Sequence, residues 1–371
     1  VQAAALAALF LPAHGGQRVI LKGVQAMTLQ QLLAIQLPII QAPMAGVQDH
    51  RLAVAVSNAG GLGSLPAAML SLEALRSELT ALQTQTSQPF NVNFFCHTPP
   101  QPDAEREAKW RAALAPYYAE LDLDPAQIPA GPGRSPFSAE AAELLAEFRP
   151  VVLSFHFGLP SPELLAQVRS WGTKVIASAT TVAEALWLEA QGVDAIIAQG
   201  LEAGGHRGHF LSMDLTEQAG LFALLPRIVQ AVKVPVIAAG GIADAQGVAA
   251  AMALGAAGVQ VGSAYLLCPE ATTSAVHRAA LQSPAAGHTA LTTVFSGRPA
   301  RGIVNRIMCE LGPLSAPTPE FPLATSAIAP LRAKAESQGR GDFSPLWCGQ
   351  NASGCKAIGA GALTLELAGG L

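Results

Sequence analysis

The sequence has no apolar run approaching the roughly 20 residues that a membrane-spanning helix needs, so no such span is expected. It has no basic cluster, and its net charge is −4, which leaves little to hold a nucleic-acid backbone. Cysteine is scarce. Cys96, Cys268, Cys309, Cys348 and Cys355 are odd in number, scattered, and never in C-x-x-C spacing. A disulfide framework and a bound metal are both disfavoured, and a reduced cytoplasmic protein is the expectation. A nucleophile elbow and a Ser-His-Asp order are also missing, which argues against hydrolase chemistry.

What is present is apolar and small. Half of the 371 residues are hydrophobic, only 13% are charged, and there are 35 glycines. Such a chain can bury a large core. Met27-Thr28-Leu29 reads as a start, and residues 1–26 as an extension outside the fold. Their apolar stretch lacks the basic flank of a signal peptide, and a degraded targeting peptide is the rival reading. From there, short apolar runs at 39–44, 61–65, 90–95, 151–158, 174–179, 195–199, 234–239 and 259–263 alternate with helical patterns. Leu72, Leu75, Leu79 and Leu82 mark one helix face, Ser161 with Pro162 opens another helix, and Thr181 with Glu184 has capping-box spacing.

Eight strands in βα alternation predict an α/β fold, a (β/α)8 TIM barrel. The rival is an open doubly wound sheet, which would carry its glycine-rich loop after the first strand. Here the glycines cluster late, after the sixth, seventh and eighth strands. The domain expectation is a barrel over 27–267 with a surface insertion at about 96–137. A smaller helical cap or substrate domain follows over 268–338, and residues 339–371 return to the barrel.

Barrel chemistry sits at the C-terminal ends of the strands. The polar residues falling there are Gln41, Asn93, His156, Ser178, Gln199 and Ser263, and none is a carboxylate. That argues against glycoside hydrolysis and most metal hydrolases. Gln199 opens the stretch Gln199 to Gly208, where Gly204 and Gly205 let backbone come close to a ligand. Gly240, Gly241, Gly262 and Ser263 offer N–H groups and a hydroxyl to a phosphate, while Gln41, Asn93 and Gln199 offer directed bonds to a heterocycle edge. A phosphorylated flat ring, FMN, fits both sets, and Met44 suits either a flavin face or ordinary core. His156, alone in an apolar strand, is either a satisfied core histidine or the catalytic group. His206 and Arg207 contact a ligand or lie at the surface, and the basic loop Arg298 to Gly302 has no clear task.

In order along the chain, Gln41-Ala-Pro-Met44-Ala-Gly46, Gly60-Gly-Leu-Gly63-Ser, Val152-Leu-Ser-Phe-His156-Phe-Gly158, Gln199-Gly-Leu-Glu-Ala-Gly204-Gly-His-Arg-Gly208, Ala239-Gly240-Gly241-Ile and Gln260-Val-Gly262-Ser263 form a motif series. This series resembles that of the nitronate monooxygenases (class I-like), from about residue 28 to 365. The resemblance implies an FMN-dependent barrel that oxidises alkyl nitronates, notably propionate 3-nitronate, with O2 through a flavin semiquinone. It matches Asn93, Gln199, Gly204, Gly240, Gly241 and Gln260 to Ser263 to FMN-binding motifs, and His156 to the active-site histidine. Leu346-Trp347-Cys348-Gly349-Gln350 is similar to a late motif near the flavin, which brings in Trp347 and Gln350. The partners implied are an anionic nitronate and O2, and a homodimer is left open. The alternative is an NAD(P)H reductase of the enoyl-acyl-carrier-protein or quinone type on the same flavin barrel.

Overall fold

The computed structural model describes residues 27–128 and 134–371, so the expectations for residues 1–26 lie outside the described residues. Thr28 opens the fold with a capping box. Its hydroxyl accepts from Gln31 N, and Gln31 Oε1 accepts from Thr28 N at 3.0 Å. The helix Leu29–Leu33 turns Leu29 and Leu33 into the bottom of a barrel, where they meet Ile40, Val152, Ile176, Ile197 and Ile237.

The strands are β1 (Ile39–Gln41), β2 (Gly63–Pro66), β3 (Phe90–Phe95), β4 (Val152–His156), β5 (Lys174–Ala179), β6 (Ala195–Gln199), β7 (Gly205–His206), β8 (Val236–Ala239), β9 (Gly258–Val261), β10 (Thr289–Thr292) and β11 (Ala300–Ile303). Eight of them form one parallel sheet in the order β1-β9-β8-β6-β5-β4-β3-β2. A parallel bridge from Ile40 to Leu62 closes the ring. The molecule is therefore a (β/α)8 TIM barrel.

Alternation along the strands fixes what faces inward. In β3, Phe90, Val92 and Phe94 pack outward against the helices, so Asn91, Asn93 and Phe95 point in. In β4, Val152 lies in the inner cluster and Leu153 and Phe155 in the outer one, which aims His156 inward. The same parity aims Ser178, Gln199 and Gln260 inward. In β1, however, Ile40 is the inner residue and Ile39 the outer one, so Gln41 points outward.

Capping follows the sequence with one change. Ser161 accepts from Leu164 N with Pro162 at the first helical position, as read. Thr181 accepts from Glu184 N at 3.2 Å, but Glu184 does not return the bond to its own cap. Its carboxylate takes Thr180 N at 2.6 Å and the N–H groups of Phe210 and Leu211 instead, at 2.6 and 3.3 Å. Glu184 thus fastens the far end of the glycine loop to the barrel wall.

One expectation needs correction. The segment 96–137 is more than a surface insertion. Its helix Ala104–Glu120 buries Trp110, Leu114, Tyr117 and Tyr118 against the helix Ala324–Ser337. Trp110 Nε1 donates to Ala324 O at 3.3 Å and Tyr118 OH to Ala327 O at 2.6 Å. The four apolar residues recur at three- and four-residue steps, which makes a buried stripe. The mostly helical region 268–338 also holds a short sheet. β10 and β11 pair antiparallel within it, and β11 also pairs with β7 from the glycine loop. The last helix, Ala360–Ala368, packs on the helices His50–Asn58 and Ala245–Ala253.

Candidate active site

A cavity of about 1330 Å³, counting its open mouth, lies over the C-terminal ends of the barrel strands. Its wall includes Asn93, Ser154, His156, Ser178, Gln199 and Gln260 from the strands, and Gly204, Gly240, Gly241, Gly262 and Ser263 from the loops. Among the described residues no aspartate or glutamate lines it, and Arg134 does. An occupant with negative charge meets no repulsion there.

His156 ends β4 and is held at both ring nitrogens. Nε2 lies 3.2 Å from His206 O, and Nδ1 lies 3.0 Å from Ser178 Oγ. A carbonyl can only accept, so Nε2 carries the hydrogen and the basic lone pair is on Nδ1, facing the serine hydroxyl. Burial pushes the pKa of His156 down to about 3; the His206 carbonyl opposes this and the charges of Arg298 and Arg207 add to it. The imidazole is neutral at physiological pH. The next residue, Phe157, sits in the left-handed region at φ 69°, strained backbone of the kind found at working sites. The guanidinium of Arg298 covers its ring at 4.1 Å.

The glycine loop after β6 is pinned from several sides. Gln199 Nε2 donates to His206 O at 3.0 Å, and Gln199 Oε1 accepts from Gly208 N at 2.7 Å. Arg207 is fully buried, and its guanidinium donates to Gln199 O, Gly200 O and Gln218 Oε1. Arg301 Nε donates to Leu201 O at 3.0 Å, and Arg298 Nη2 to His209 O. The basic loop therefore clamps the glycine loop. Gly208 lies on the imidazole itself, since a Cβ there would stand 2.7 Å from His156 Cε1.

The sequence-derived residues divide clearly. Met44, Asn93, His156, Ser178, Gln199, Gly204, Gly205, Gly240, Gly241, Gln260, Gly262, Ser263 and Trp347 line the cavity. Gln41 and Gln350 do not. Gln41 points outward, its Nε2 donates to Gln48 Oε1 at 2.7 Å and to Ala42 O, and its Oε1 accepts from Ser64 N at 2.9 Å. Gln48 also accepts from Met44 N, so the pair sets the loop that carries Met44. Gln350 is exposed, and its backbone N–H donates to Glu202 O, while Gly349 and Asn351 on either side reach the wall. Gln199 is in the wall, but both ends of its amide are committed to the loop. Residues the sequence did not mark include Arg134, Phe95 and Ser154. The alternation of β3 and β4 pointed to the last two. Nothing local pointed to Arg134.

Several features suit a phosphorylated flat ring. Gln260 Oε1 is buried in the wall with no hydrogen-bond partner, ready for a ring N–H. Gly240 and Gly241 have φ of 120° and 71°, which turns consecutive N–H groups to one side, and a Cβ on Gly240 would sit 3.1 Å from Ala203 N. Ser263 Oγ accepts from Gly349 N at 2.9 Å, leaving its own hydrogen to donate. Among the described residues no group of three or more His, Cys, Asp or Glu could hold a metal ion.

Gly204 has a different task. A Cβ there would lie 2.5 Å from Gly349 N and 2.6 Å from Cys348 C, both backbone atoms. Gly204→Ala is expected to part the loop from the 347–349 segment and to lower stability by about 1–3 kcal/mol, read as an earlier thermal midpoint. An unchanged midpoint would show that the two segments can separate freely.

Fold and site together define a (β/α)8-barrel enzyme with its chemistry at the strand C-terminal ends. The family model for nitronate monooxygenase matches residues 26–368. The nitronate monooxygenase of Pseudomonas aeruginosa is 42% identical over 91% of this chain and 97% of its own length. That of Paraburkholderia phytofirmans is 41% identical over 91% and 92%. The crystal structure of a nitroalkane oxidase from Streptomyces ansochromogenes superposes with a TM-score of 0.83 at 38% identity, covering 92% of this chain and 96% of that one. The chain belongs to the nitronate monooxygenase family, and it is an oxidoreductase.

Proposed function

We propose that this protein binds FMN and oxidises alkyl nitronates, propionate 3-nitronate among them, with O2 to a carbonyl compound and nitrite. The observation that carries the reading is His156, neutral and held at both nitrogens, in the wall of a cavity that has a cation and no carboxylate. A histidine held near pKa 3 is a weak proton acceptor. Such a site favours a substrate that arrives already ionised, and a nitronate is that.

Bound FMN would supply the electron transfer to O2. The chain would hold it through Gln260 Oε1 at the ring edge and through the N–H groups of Gly240, Gly241, Gly262 and Ser263 at the phosphate. His156 keeps its hydrogen on Nε2 and presents the Nδ1 lone pair beside Ser178. For a neutral nitroalkane that lone pair would have to take the α-proton. We assign Trp347, which lines the cavity, and the region 268–338 to the substrate cap. The cysteines are free among the described residues, in keeping with a cytoplasmic place. No described helix is long and apolar enough to cross a membrane.

The test is anaerobic. The purified yellow protein is mixed with propionate 3-nitronate in one cuvette and with NADH in another, and the flavin spectrum is followed. A change with the nitronate and none with NADH is expected. Bleaching by NADH alone would move the protein to the reductases and end this proposal.

A further inference from the structure

An apolar patch on the outside of the barrel takes no part in the site. Of the twelve large hydrophobic side chains exposed among the described residues, five fall within residues 186–222: Leu186, Trp187, Leu211, Met213 and Phe222. They sit on three segments that touch one another. The helix Val182–Ala190 packs against the helix Leu221–Ala231. Its Glu184 carboxylate accepts from Phe210 N and Leu211 N, and the Trp187 ring meets the Phe210 ring edge-on with centres 5.1 Å apart.

The helix Val182–Ala190 is apolar on both sides. Ala185 and Leu188 face the core, while Ala183, Leu186, Trp187 and Ala190 face out. The outward set has the i, i+3, i+4, i+7 spacing by which a helix packs on a neighbour, and no charged residue falls on it. A helix that is apolar all round is normally covered all round. Among the described residues only the inner face is covered. Phe222, 77% exposed, and Met213, 62% exposed, widen the bare surface beside it.

Size and charge point to the occupant. The five side chains expose on the order of 500 Å². A standard interface removes about 800 Å² from each partner, and its centre is apolar. The patch therefore has the extent of an interface core, with Ala183, Ala190 and Ala223 to add to it. Asp214, Glu217 and Arg227 are exposed around it. A rim with both signs suits pairing about a two-fold axis, where the acids of one copy face the arginine of the other. A lipid surface would call for several cations beside the stripe, and the helix Val182–Ala190 has none.

We propose that this face joins two copies of the chain in a two-fold dimer, with Trp187 and Phe222 at its centre. The proposal goes beyond the nitronate reading and does not depend on it. The contact would cover Leu211 and Met213, which continue outward the loop whose Gly208 lies on the His156 imidazole.

The experiment is sedimentation velocity on the full-length holoprotein over roughly 1–50 μM. The wild type is expected at twice the mass of one chain. Phe222→Glu and Trp187→Glu should each weaken the dimer at least roughly 30-fold and sediment as single chains. Leu365→Glu, at an exposed leucine of the last helix, should leave the dimer intact. Near-ultraviolet circular dichroism and the visible spectrum check that each variant keeps its fold. Phe222 has little packing to lose, so Phe222→Glu decides the matter if Trp187→Glu does not fold. A wild type at the mass of one chain throughout, a dimer that survives Phe222→Glu, or one that Leu365→Glu breaks equally would each overturn the proposal. In a monomeric wild type, acrylamide quenching of Trp187, read as the difference from Trp187→Phe, then names the alternative. Shielding would give the patch to a segment of the same chain, and free quenching would leave it bare.

Discussion

Replacing His156 by asparagine is expected to cut turnover of a neutral nitroalkane by roughly 10²- to 10³-fold, and to reduce turnover of the matching nitronate less than about tenfold. Asparagine can still donate to the His206 carbonyl, so the loop should stay in place. What disappears is the Nδ1 lone pair beside Ser178, in a wall that has no carboxylate among the described residues. A nitronate has already lost its proton and does not need it. The pH dependence follows from the same burial. With a pKa near 3, His156 is already the free base throughout pH 5–8, and protonation removes it only as pH approaches that value. Wild-type rates on the nitroalkane should therefore show no acidic limb from this residue between pH 5 and 8. Initial rates with nitroethane and ethyl nitronate, for both proteins across that range, check both statements. Equal losses on the two substrates would remove the base role.

Acid alone should unfold this protein well above pH 3. His97 and His277 are pushed down to about 4, and His156 and His209 to about 3, each mainly by burial, against an ordinary value of 6.5. The depressed values mean that the folded chain refuses protons which the unfolded chain accepts below about pH 6.5. Stability is then complete above that pH and is lost progressively as pH falls toward the folded-state values. Full acidification costs roughly 3–5 kcal/mol for each histidine. A whole protein commonly has about 5–15 kcal/mol of stability, so two or three such groups exhaust it. His209 is the most exposed to this effect, since it is 1% accessible and neither ring nitrogen has a partner. Near-ultraviolet circular dichroism and flavin release, followed from pH 8 downward, should show a cooperative transition with a midpoint between roughly pH 4 and 5.5. A native spectrum persisting at pH 3 would mean that the imidazoles reach water without unfolding.

The barrel was legible because its strands are short apolar runs in βα alternation, and because the late glycines favour it over the open sheet. Much of the site was legible for the same reason. Residues such as His156 and Gln260 follow from strand ends, and Gly240 and Gly241 follow from the backbone freedom a phosphate cradle needs. The failures also have physical causes. Ile39-Ile40-Gln41 has two apolar residues in a row, so nothing local shows which of them points inward, or that Gln41 faces away from the cavity. Gln350 shares a short motif with Trp347 and Gly349, but the chain crosses the cavity rim there and turns it outward. Arg134 lies in a proline- and glycine-rich stretch without periodicity, and its place is set by contacts far away in the chain. Trp110 was hidden in the same way, because the stripe it belongs to looks like a solvated helix until its partner helix is known.

That partner helix lies late in the sequence, and this bears on how the protein assembles. The bond between Trp110 and Ala324 spans 214 residues, and the one between Tyr118 and Ala327 spans 209. Contacts so distant in sequence are slow to form, because the entropy of closing the loop is spent before they return anything. During synthesis the helix Ala104–Glu120 emerges long before Ala324–Ser337 exists. Trp110, Leu114, Tyr117 and Tyr118 therefore face water while the barrel strands after β3 are still being made. A smaller cleft lined by Arg134, Arg332 and Trp347 has the same late dependence, since Arg332 and Trp347 follow every barrel strand in sequence.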